Sequence, residues 1–474
     1  MFHPLRGLPL EAVVDTGHRG RVPLLGVSAP NTYAGGARCH TFLLYIFSPT
    51  VSNAFSSLTF AACCAKIRSV NDPRGDNLSE VAITGLGVVS PLGNDVHTFW
   101  RSLRSGASGI APITRFDASS FRNNIAGEVR DFEPDEADAG IGRAYQYAAR
   151  AVRDAWRDSG LAGKADSLNA GIVTATNFGS AELGRNICET IVLSKPQLPP
   201  FAPQWQMDWI TRRMAEELSL PGPRATISLS CASGVAAMGH AIDLIRSGRA
   251  RAVIACGYDE LSFYAYSGLS ALRAMTPEII RPFDKNRKGT IFAEGAGALV
   301  LEAKESACER GARIYATVLG HAMNNDAYHM TAPDKTGRGI ISVMKSALAD
   351  ANVGPDEIDH INAHGTGTPF NDKTETTAIK QIFGETAYRI PVDSMKSMMG
   401  HCMGASGTLE AIGAALTARD GIIPPTMNLE TPDPECDLDY VPGEAREADV
   451  KTVLCNSYGF GGTNAALVLR RWDQ

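Results

Sequence analysis

Two strand–helix units of matching chemistry, one in each half of the chain, constrain the fold more than any other feature. In the first, an apolar run at residues 225–230 leads through Cys231 to a helix-forming segment, residues 232–247. In the second, residues 391–394 lead to a similar segment, residues 404–419. Both segments carry Gly, Ala and Ser where a helix would pack closely against a neighbour. An internal repeat of this kind indicates two similar structural units that meet at a shared site.

Strand and helix patterns alternate along most of the chain. The first is a short buried strand with a glycine turn at residues 81–90. A helix is predicted over residues 144–159, because Ala148, Val152 and Trp156 recur four residues apart on one face. This alternation favours a layered α/β fold. Further strands are predicted at residues 170–176, 251–256, 296–302, 360–363, 453–456 and 465–469.

Residues 1–80 differ in composition from the rest of the chain. They mix Gly, Pro, Ser and Thr with a loosely apolar stretch, residues 41–64, that polar residues interrupt. A membrane span needs about 20 mostly apolar residues, so we predict no span there, and the layout of a secretory signal is missing as well. We expect a disordered or loosely attached extension outside the catalytic fold, either transit-like or the product of a mis-assigned start codon. The remainder is predicted to form two halves, residues 81–325 and 326–474.

Charge and cysteine content argue against several classes of function. The 474 residues carry a net charge of −6, which gives no sign of a nucleic-acid or anionic-membrane partner. The ten cysteines form no C-x-x-C pair, so we predict no metal site. Reduced, scattered thiols are typical of the cytoplasm, which is the predicted location. A plastid or a mitochondrion is the alternative if residues 1–80 are a transit peptide.

Cys231 is the cysteine whose position suggests reactivity. It lies where the strand-like run meets the start of a small-residue helix. A helix N-terminus presents unpaired N–H groups and a partial positive charge. Both stabilise a thiolate, which is the nucleophilic form of cysteine. A small buried residue in a tight junction is the structural alternative.

Two later segments each offer a histidine to the same site. His364 follows a predicted strand in a glycine-containing turn, and strand-end loops often carry catalytic groups. Thr366 and Thr368 lie on the same loop, where they either bind an extended polar ligand or make local turn hydrogen bonds. His401 precedes the second small-residue helix. With Cys231, the histidines predict a Cys-His-His enzyme that forms carbon–carbon bonds.

Lys396 and Glu410 are predicted to form a buried ion pair. The neighbours of Lys396, which are Met395, Met398 and Met399, indicate a buried position for its side chain. Glu410 lies in the middle of an apolar helix. A buried carboxylate needs a cation, and Lys396 is the natural candidate.

Residues 459–464, Gly-Phe-Gly-Gly-Thr-Asn, form a glycine-dense turn before the last predicted strand. A phosphate site is poorly supported, because no helix begins after the turn. A backbone N–H directed at a developing oxyanion is the better interpretation. Phe460 lies between glycines and is predicted to gate a pocket.

Together these segments closely resemble the beta-ketoacyl-[acyl carrier protein] synthases, the type I/II condensing enzymes of the thiolase-like superfamily. The resemblance extends from about residue 81 to residue 470, with the motifs in the family order. The motifs are residues 230–234 (SCASG), 282–287 (PFDKNR), 294–297 (EGAG), 362–369 (NAHGTGTP) with Asp372, 396–398 (KSM) with Gly400 and His401, and 456–464 (NSYGFGGTN).

The resemblance implies the thiolase fold, in which two similar halves build five αβαβα layers. It implies a homodimer, or a heterodimer with a ketosynthase-like subunit. It also implies covalent catalysis without a bound cofactor. Cys231 would take an acyl chain from the phosphopantetheine arm of an acyl carrier protein. The carbanion left by decarboxylation of malonyl-carrier would then attack that thioester, in fatty-acid or polyketide-type synthesis.

Roles for individual residues are implied by the same resemblance. His364 and His401 assist decarboxylation and donate hydrogen bonds to the thioester oxygen. The backbone N–H groups of Cys231 and Phe460 form the oxyanion hole. Lys396, held by Glu410, is implied to organise the two histidines. Thr366 and Thr368 are implied to contact the pantetheine arm. Asp284 has a supporting role, and Arg273 is implied to contact the carrier protein.

Phe178 is a departure from the family pattern. It lies where the family's acyl pocket crosses toward the dimer partner and where smaller aliphatic residues are common. Its ring would shorten the pocket, so we predict a preference for short or unusual acyl chains. A polyketide or polyene ketosynthase subunit is therefore an alternative, as is a coenzyme A-dependent thiolase, which would carry a second cysteine in place of His401. A non-catalytic scaffold is disfavoured, because Cys231 and both histidines are intact.

Overall fold

The computed structural model describes residues 80–193 and 201–473, and the predicted extension lies outside these residues except for Glu80. All the strands predicted from the sequence are present. Within the described residues the strands are β1 (Val81–Val89), β2 (Ile110–Pro112), β3 (Ile125–Gly127), β4 (Gly171–Ala175), β5 (Arg224–Ile227), β6 (Ala252–Asp259), β7 (Gly295–Ala303), β8 (Ala316–Asn325), β9 (His360–Asn362), β10 (Val392–Asp393), β11 (Ile422–Ile423), β12 (Arg446–Glu447), β13 (Thr452–Gly459) and β14 (Thr463–Arg471).

The predicted helices also occur, with ends that differ by one or two residues. Ala148, Val152 and Trp156 face the core from α2, as their spacing predicted. The α-helices are α1 (Val96–Arg104), α2 (Arg143–Asp158), α3 (Ala181–Leu193), α4 (Trp209–Glu217), α5 (Ser233–Arg246), α6 (Phe263–Ala271), α7 (Lys304–Glu309), α8 (Arg338–Ala351), α9 (Asn371–Phe383), α10 (Lys396–Met399) and α11 (Ser406–Asp420). Short 3-10 turns connect several of them, including Met403–Ala405 just before α11.

The large sheet is built from two halves with the same topology. Its strand order is β10-β9-β13-β14-β8-β1-β7-β6-β4-β5. In one half, β5, β4 and β6 are parallel and β7 and β1 follow antiparallel. In the other half, β10, β9 and β13 are parallel and β14 and β8 follow antiparallel. A short antiparallel pairing of β1 with β8, from Val81 to Ile83, joins the two halves.

Three buried apolar clusters give the layered order of the fold. The central cluster contains α5 and α11 between the two halves of the sheet. A second cluster packs α2 and α4 on the outer face of the first half. A third packs α8 and α9 on the outer face of the second half. The order is therefore helix, sheet, helix, sheet, helix, as the family resemblance predicted.

The two central helices cross at glycines. A Cβ on Gly234 of α5 would lie 2.7 Å from the backbone nitrogen of Thr408, and a Cβ on Gly407 of α11 would lie 2.7 Å from that of Val235. Real Cβ atoms cannot approach backbone this closely, so the crossing needs glycine on both helices. The small residues of these two segments therefore allow the close helix–helix contact that the sequence predicted.

No helix among residues 80–193 and 201–473 is both long and apolar enough to cross a membrane.

Candidate active site

One cavity of about 80 Å³ brings together most of the residues singled out from the sequence. Its walls come from the ends of several strands and from the loops that follow them. The predicted site residues that line it are Cys231, His364, Thr366, Thr368, His401 and Phe460.

Cys231 lies in a tight turn two residues before α5. Ser230 has a left-handed backbone with φ of 52°, and the turn is closed by a hydrogen bond from the Ser233 hydroxyl to the Ser230 carbonyl (2.6 Å). The hydroxyl of Ser457 on β13 donates to the carbonyl of Cys231 (3.0 Å). The turn therefore holds the thiol in the cavity, where only 5% of the residue is exposed.

Burial raises the pKa of the Cys231 thiol to about 11. The Ser230 hydroxyl, the charge of Lys396 and the backbone of Phe460 act in the opposite direction. In the substrate-free site, burial therefore opposes the thiolate that the helix start is predicted to stabilise. Loss of solvation destabilises the thiolate more than the nearby hydrogen-bond donors and the lysine charge stabilise it. The resting group is therefore a thiol.

The loop after β9 holds His364 against a buried carboxylate. The backbone N–H groups of His364 and Gly365 donate to the two oxygens of Glu375 on α9, at 2.9 and 3.0 Å. Burial raises the pKa of Glu375 to about 7. The hydroxyl of Ser394 donates to the carbonyl of Gly365 (2.7 Å) and ties the same loop to the end of β10.

His401 faces His364 across the cavity, with ring centroids 5.5 Å apart and planes at 86°. Its Nδ1 is 2.8 Å from the hydroxyl of Ser406 on α11. Burial lowers the pKa of both histidines well below the usual value, and the charge of Lys396 lowers them further. Both rings are therefore neutral, as the proposed chemistry requires.

Lys396 and Glu410 form the predicted buried ion pair. Their side chains are 0% and 2% exposed, and the Nζ atom of Lys396 donates to Oε1 of Glu410. Burial raises the pKa of Glu410 to about 7, and Lys396 opposes that rise. Because the lysine charge also lowers the pKa of both histidines, this pair sets the electrostatic environment of the site.

Backbone hydrogen bonds hold the glycine-dense turn between β13 and β14 to neighbouring segments of the chain. The N–H of Gly461 donates to the carbonyl of Met330 (2.9 Å), and the N–H of Asp326 donates to the carbonyl of Gly462 (2.8 Å). Gly461 and Gly462 have φ values of 82° and 72°, which L-residues rarely adopt. The turn places Phe460 at the cavity wall beside Cys231.

Besides Lys396 and Glu410, three more residues singled out from the sequence lie outside the cavity lining. Asp284 is fully buried and accepts backbone hydrogen bonds from Glu430 (2.8 Å) and Thr431 (2.6 Å), so it holds a loop. Phe178 packs in a neighbouring apolar cluster that also includes Phe460. Arg273 lines a separate surface cavity of about 370 Å³.

Sequence reasoning missed the buried polar residues that hold the site from behind, chiefly Glu375, Ser406 and Asp259. Glu375 follows Asp372 by one helical turn, and the carboxylate of Asp372 accepts the N–H of Gly367 (3.1 Å) on the histidine loop. Two acids one helical turn apart, directly after the histidine loop, were the available signal. Ser406 and Asp259 carry no such signal in the sequence.

Within the described ranges, no group of three or more His, Cys, Asp or Glu side chains is arranged to hold a metal ion.

Comparison with known proteins identifies the family of this chain. The family models for the N-terminal and C-terminal domains of beta-ketoacyl synthase match residues 78–307 and 315–430. The chain is 43% identical over 410 residues to "3-oxoacyl-[acyl-carrier-protein] synthase 2" of Coxiella burnetii, covering 82% of this chain and 98% of that protein.

Solved structures give the same result. The ishigamide ketosynthase/chain length factor superposes with a TM-score of 0.79 at 40% identity, covering 84% of this chain and 100% of that one. A type II polyketide ketosynthase in complex with its acyl-carrier protein superposes with a TM-score of 0.78 at 32% identity, over 84% of this chain and 100% of that one. In sequence and fold, this chain belongs to the beta-ketoacyl synthase family.

Proposed function

We propose that the protein is a 3-oxoacyl-[acyl-carrier-protein] synthase that joins a Cys231-bound acyl chain to malonyl-carrier protein. The observation that carries this proposal is the meeting of a buried thiol with two neutral imidazoles in one cavity beside a buried lysine. Neutral imidazoles can donate hydrogen bonds to a thioester oxygen, and the lysine favours negative charge that develops there.

The first half-reaction is acyl transfer. The sulfur of Cys231 attacks the carbonyl of acyl-carrier protein, the carrier's C–S bond breaks, and the thiol proton passes to the carrier's sulfur. Because burial keeps the resting group protonated, the thiolate forms only as the reaction proceeds. The backbone N–H groups of Cys231 and Phe460 are suited to bind the oxyanion of this step.

The second half-reaction is decarboxylative condensation. The C–C bond to the malonyl carboxylate breaks, carbon dioxide leaves, and the enolate is stabilised by hydrogen bonds from His364 and His401. The enolate carbon attacks the acyl thioester, the C–S bond to Cys231 breaks, and the sulfur regains a proton. If the Ser406 hydroxyl donates to Nδ1 of His401, the Nε2–H of that ring is directed at the substrate.

The carrier protein is proposed to dock beside the cavity mouth. Arg122 and Arg273 are exposed and line the 370 Å³ surface cavity together with Met275. Met275 follows Ala274, which lines the active-site cavity. Two guanidinium groups next to the entrance suit an acidic carrier protein. The hydroxyls of Thr366 and Thr368, 3.0 Å apart at the cavity wall, suit the amides of its pantetheine arm.

A second copy of the chain is the proposed partner for the β5 side of the sheet. Among the described residues, β5 is paired only with β4. Exposed apolar side chains lie on segments that pack around α3, namely Phe201, Trp205, Met207, Phe263 and Tyr264. An open edge with apolar cover is typical of an obligate interface. Measurement of the molecular mass in solution tests whether the chain forms a homodimer. A stable monomer, or assembly only with a ketosynthase-like subunit, would contradict the proposal.

One assay tests the activity. Purified protein is mixed with acyl-carrier and malonyl-carrier protein, and 3-ketoacyl product and carbon dioxide are measured. Both products are expected in equal amounts, with an acyl mass on Cys231 when malonyl-carrier is withheld. Product without carbon dioxide, or no product with any acyl chain, would rule out the proposal. Product formed from acyl-coenzyme A and acetyl-coenzyme A alone would favour the thiolase alternative.

Pathway and chain length are tested at Phe178. We propose a preference for short or unusual acyl chains, because the bulky ring of Phe178 would shorten the acyl pocket. A polyketide ketosynthase is the alternative to a fatty-acid enzyme, and a type II polyketide ketosynthase is among the similar structures. Phe178→Ala is expected to raise the relative rate with long-chain acyl carriers. Phe116→Ala, from the same apolar cluster, is the matched control. Equal turnover of short and long chains by the wild type would contradict the proposal.

A further inference from the structure

The second half of the fold repeats the backbone of the Cys231 junction with different chemistry. Ser230 and Met403 have φ values of 52° and 53°, and each is followed by two residues and then by a central helix. The sequences that follow are Cys-Ala-Ser-Gly in the first junction and Gly-Ala-Ser-Gly in the second. Gly404 therefore occupies the place that Cys231 occupies in the first half.

Strands β6 and β13 correspond in the same way. Each has eight residues, and they end at Asp259 and Gly459. A Cβ on Gly459 would lie 2.8 Å from the backbone nitrogen of Cys231, so glycine leaves open the space next to that N–H. At the matching place, Asp259 carries a carboxylate that accepts the N–H of Gly404 (2.7 Å). The second junction thus has its own anion where the first has room for a substrate oxyanion.

The carboxylate of Asp259 joins two loops. Besides the Gly404 N–H, it accepts the N–H groups of Asn177 (2.9 Å) and Phe178 (2.9 Å) and the hydroxyl of Thr176 (2.7 Å). It is 0% exposed. Burial raises its pKa to about 6 while these donors lower it, so the group is an anion at neutral pH. Four donors from two loops converge on one charge, which is a strong arrangement.

Both loops lead directly to the active site. Phe178 belongs to the apolar cluster that also contains Phe460. Gly404 lies in the short turn between His401 and Ser406, and the Ser406 hydroxyl is the partner of the His401 ring. A movement of Asp259 would therefore shift the apolar cluster beside Phe460 and the histidine side of the site together.

We propose that Asp259 is a positioning residue that fixes Phe178 and its apolar cluster relative to the His401 turn and so sets the acyl chain length that Cys231 condenses. This inference rests on the proposed condensing activity. The residue touches neither substrate nor the reacting atoms in this scheme. It acts through Phe178 and Gly404.

The test uses three full-length variants. Asp259→Asn keeps the size of the side chain but directs an NH₂ group at N–H donors, and Asp259→Glu keeps the charge. Glu302→Gln is the control, because Glu302 is another fully buried carboxylate whose partners, Ser306 and Arg310, are away from the cavity. Each variant is assayed for kcat and KM with a short-chain and a long-chain acyl carrier, and for thermal unfolding.

For Asp259→Asn we expect kcat to fall by about tenfold to a hundredfold, an unchanged KM for malonyl-carrier, and an altered ratio of short-chain to long-chain rates. Asp259→Glu should restore part of kcat. Glu302→Gln should lower Tm without altering the ratio. If Asp259→Asn keeps the wild-type ratio, or if Glu302→Gln alters the ratio equally, the positioning role is wrong.

A measurement that does not depend on condensation separates the positioning role of Asp259 from the proposed condensing activity. Iodoacetamide modifies Cys231 without any carrier, and the negative charge of Asp259 disfavours the Cys231 thiolate. Asp259→Asn is therefore expected to be alkylated faster at Cys231 than the wild type at the same pH. If the wild type fails to condense any acyl chain, the proposed function fails even when this alkylation difference is present. An unchanged alkylation rate overturns the coupling of Asp259 to the site.

Discussion

The Cys231 and Gly404 junctions show how one backbone design serves two purposes. In both, a residue with left-handed φ precedes a central helix, and the N–H that follows it faces the end of a strand. At the Cys231 junction, Gly459 leaves space beside that N–H, and the junction presents a thiol to a cavity. At the Gly404 junction, Asp259 fills the space and the junction is packed. Two pairs of positions therefore distinguish the catalytic junction from the structural one: Cys231 against Gly404, and Gly459 against Asp259.

The largest expected effect separates the two junctions by activity. Cys231→Ala should reduce condensation by more than about 1000-fold, because Cys231 is the one thiol among the described residues that line the cavity. Its Tm should stay close to that of the wild type. The measurement is 3-ketoacyl product per enzyme, with Cys188→Ala, an exposed cysteine, as the control. Substantial condensation by Cys231→Ala would remove the functional distinction between the junctions.

The next largest effect concerns the ion pair behind the first junction. Lys396→Ala leaves Glu410 buried without its cation, which should cost about 3–5 kcal/mol in the free energy of unfolding. The double variant Lys396→Met with Glu410→Leu should recover most of that stability and none of the activity, since the electrostatic role is lost. Denaturant unfolding and the condensation assay measure the two quantities. Recovery of activity in the double variant would contradict the proposed role of Lys396.

A smaller loss of stability is expected at the second junction. A Cβ on Gly404 would lie 2.7 Å from the Asp259 carboxylate and 2.8 Å from the backbone nitrogen of Asn177. Gly404→Ala should therefore cost about 1–3 kcal/mol through overpacking. Gly140→Ala is the matched control, because its Cβ would meet nothing within 4 Å. Equal stability of the two variants would show that the second junction is not tightly packed.

The smallest effect is a pH dependence that sharpens the description of the first junction. Only the thiolate reacts with iodoacetamide, and burial places the pKa of Cys231 at about 11. The alkylation rate at Cys231 should therefore rise about tenfold per pH unit through the neutral and mildly alkaline range. Peptide-resolved mass spectrometry gives the rate. A plateau below pH 9 would mean that the helix start stabilises the thiolate more than burial opposes it.

Much of the fold was predictable, because its signals are local. Apolar runs such as residues 251–256 and the small-residue segment before Gly248 fix strands and a helix without reference to distant parts of the chain. The pairing of β1 with β8 could not be inferred, because strand order depends on contacts between residues far apart in sequence. The repeat at the two junctions was visible, but the shared left-handed φ was not.

The site was predictable where chemistry and motif coincide, as for Cys231, His364, His401 and the Lys396–Glu410 pair. It was not predictable where a residue acts only through its neighbours. Asp259 ends an ordinary buried strand, and its four donors come from two other loops. The effect of burial on the pKa of the Cys231 thiol was also not predictable, because the extent of burial is a property of the folded chain.

The place of β14 in the sheet has a consequence for biosynthesis. This strand comes last among the described strands, yet it inserts between β13 and β8 rather than at an edge. While a ribosome is still making it, one half of the sheet has a gap, and the Phe460 turn has no strand to return into. Long-range pairing of this kind slows folding and exposes unpaired strands. A chaperone that protects nascent chains should therefore matter most for this protein until residues 463–471 have emerged.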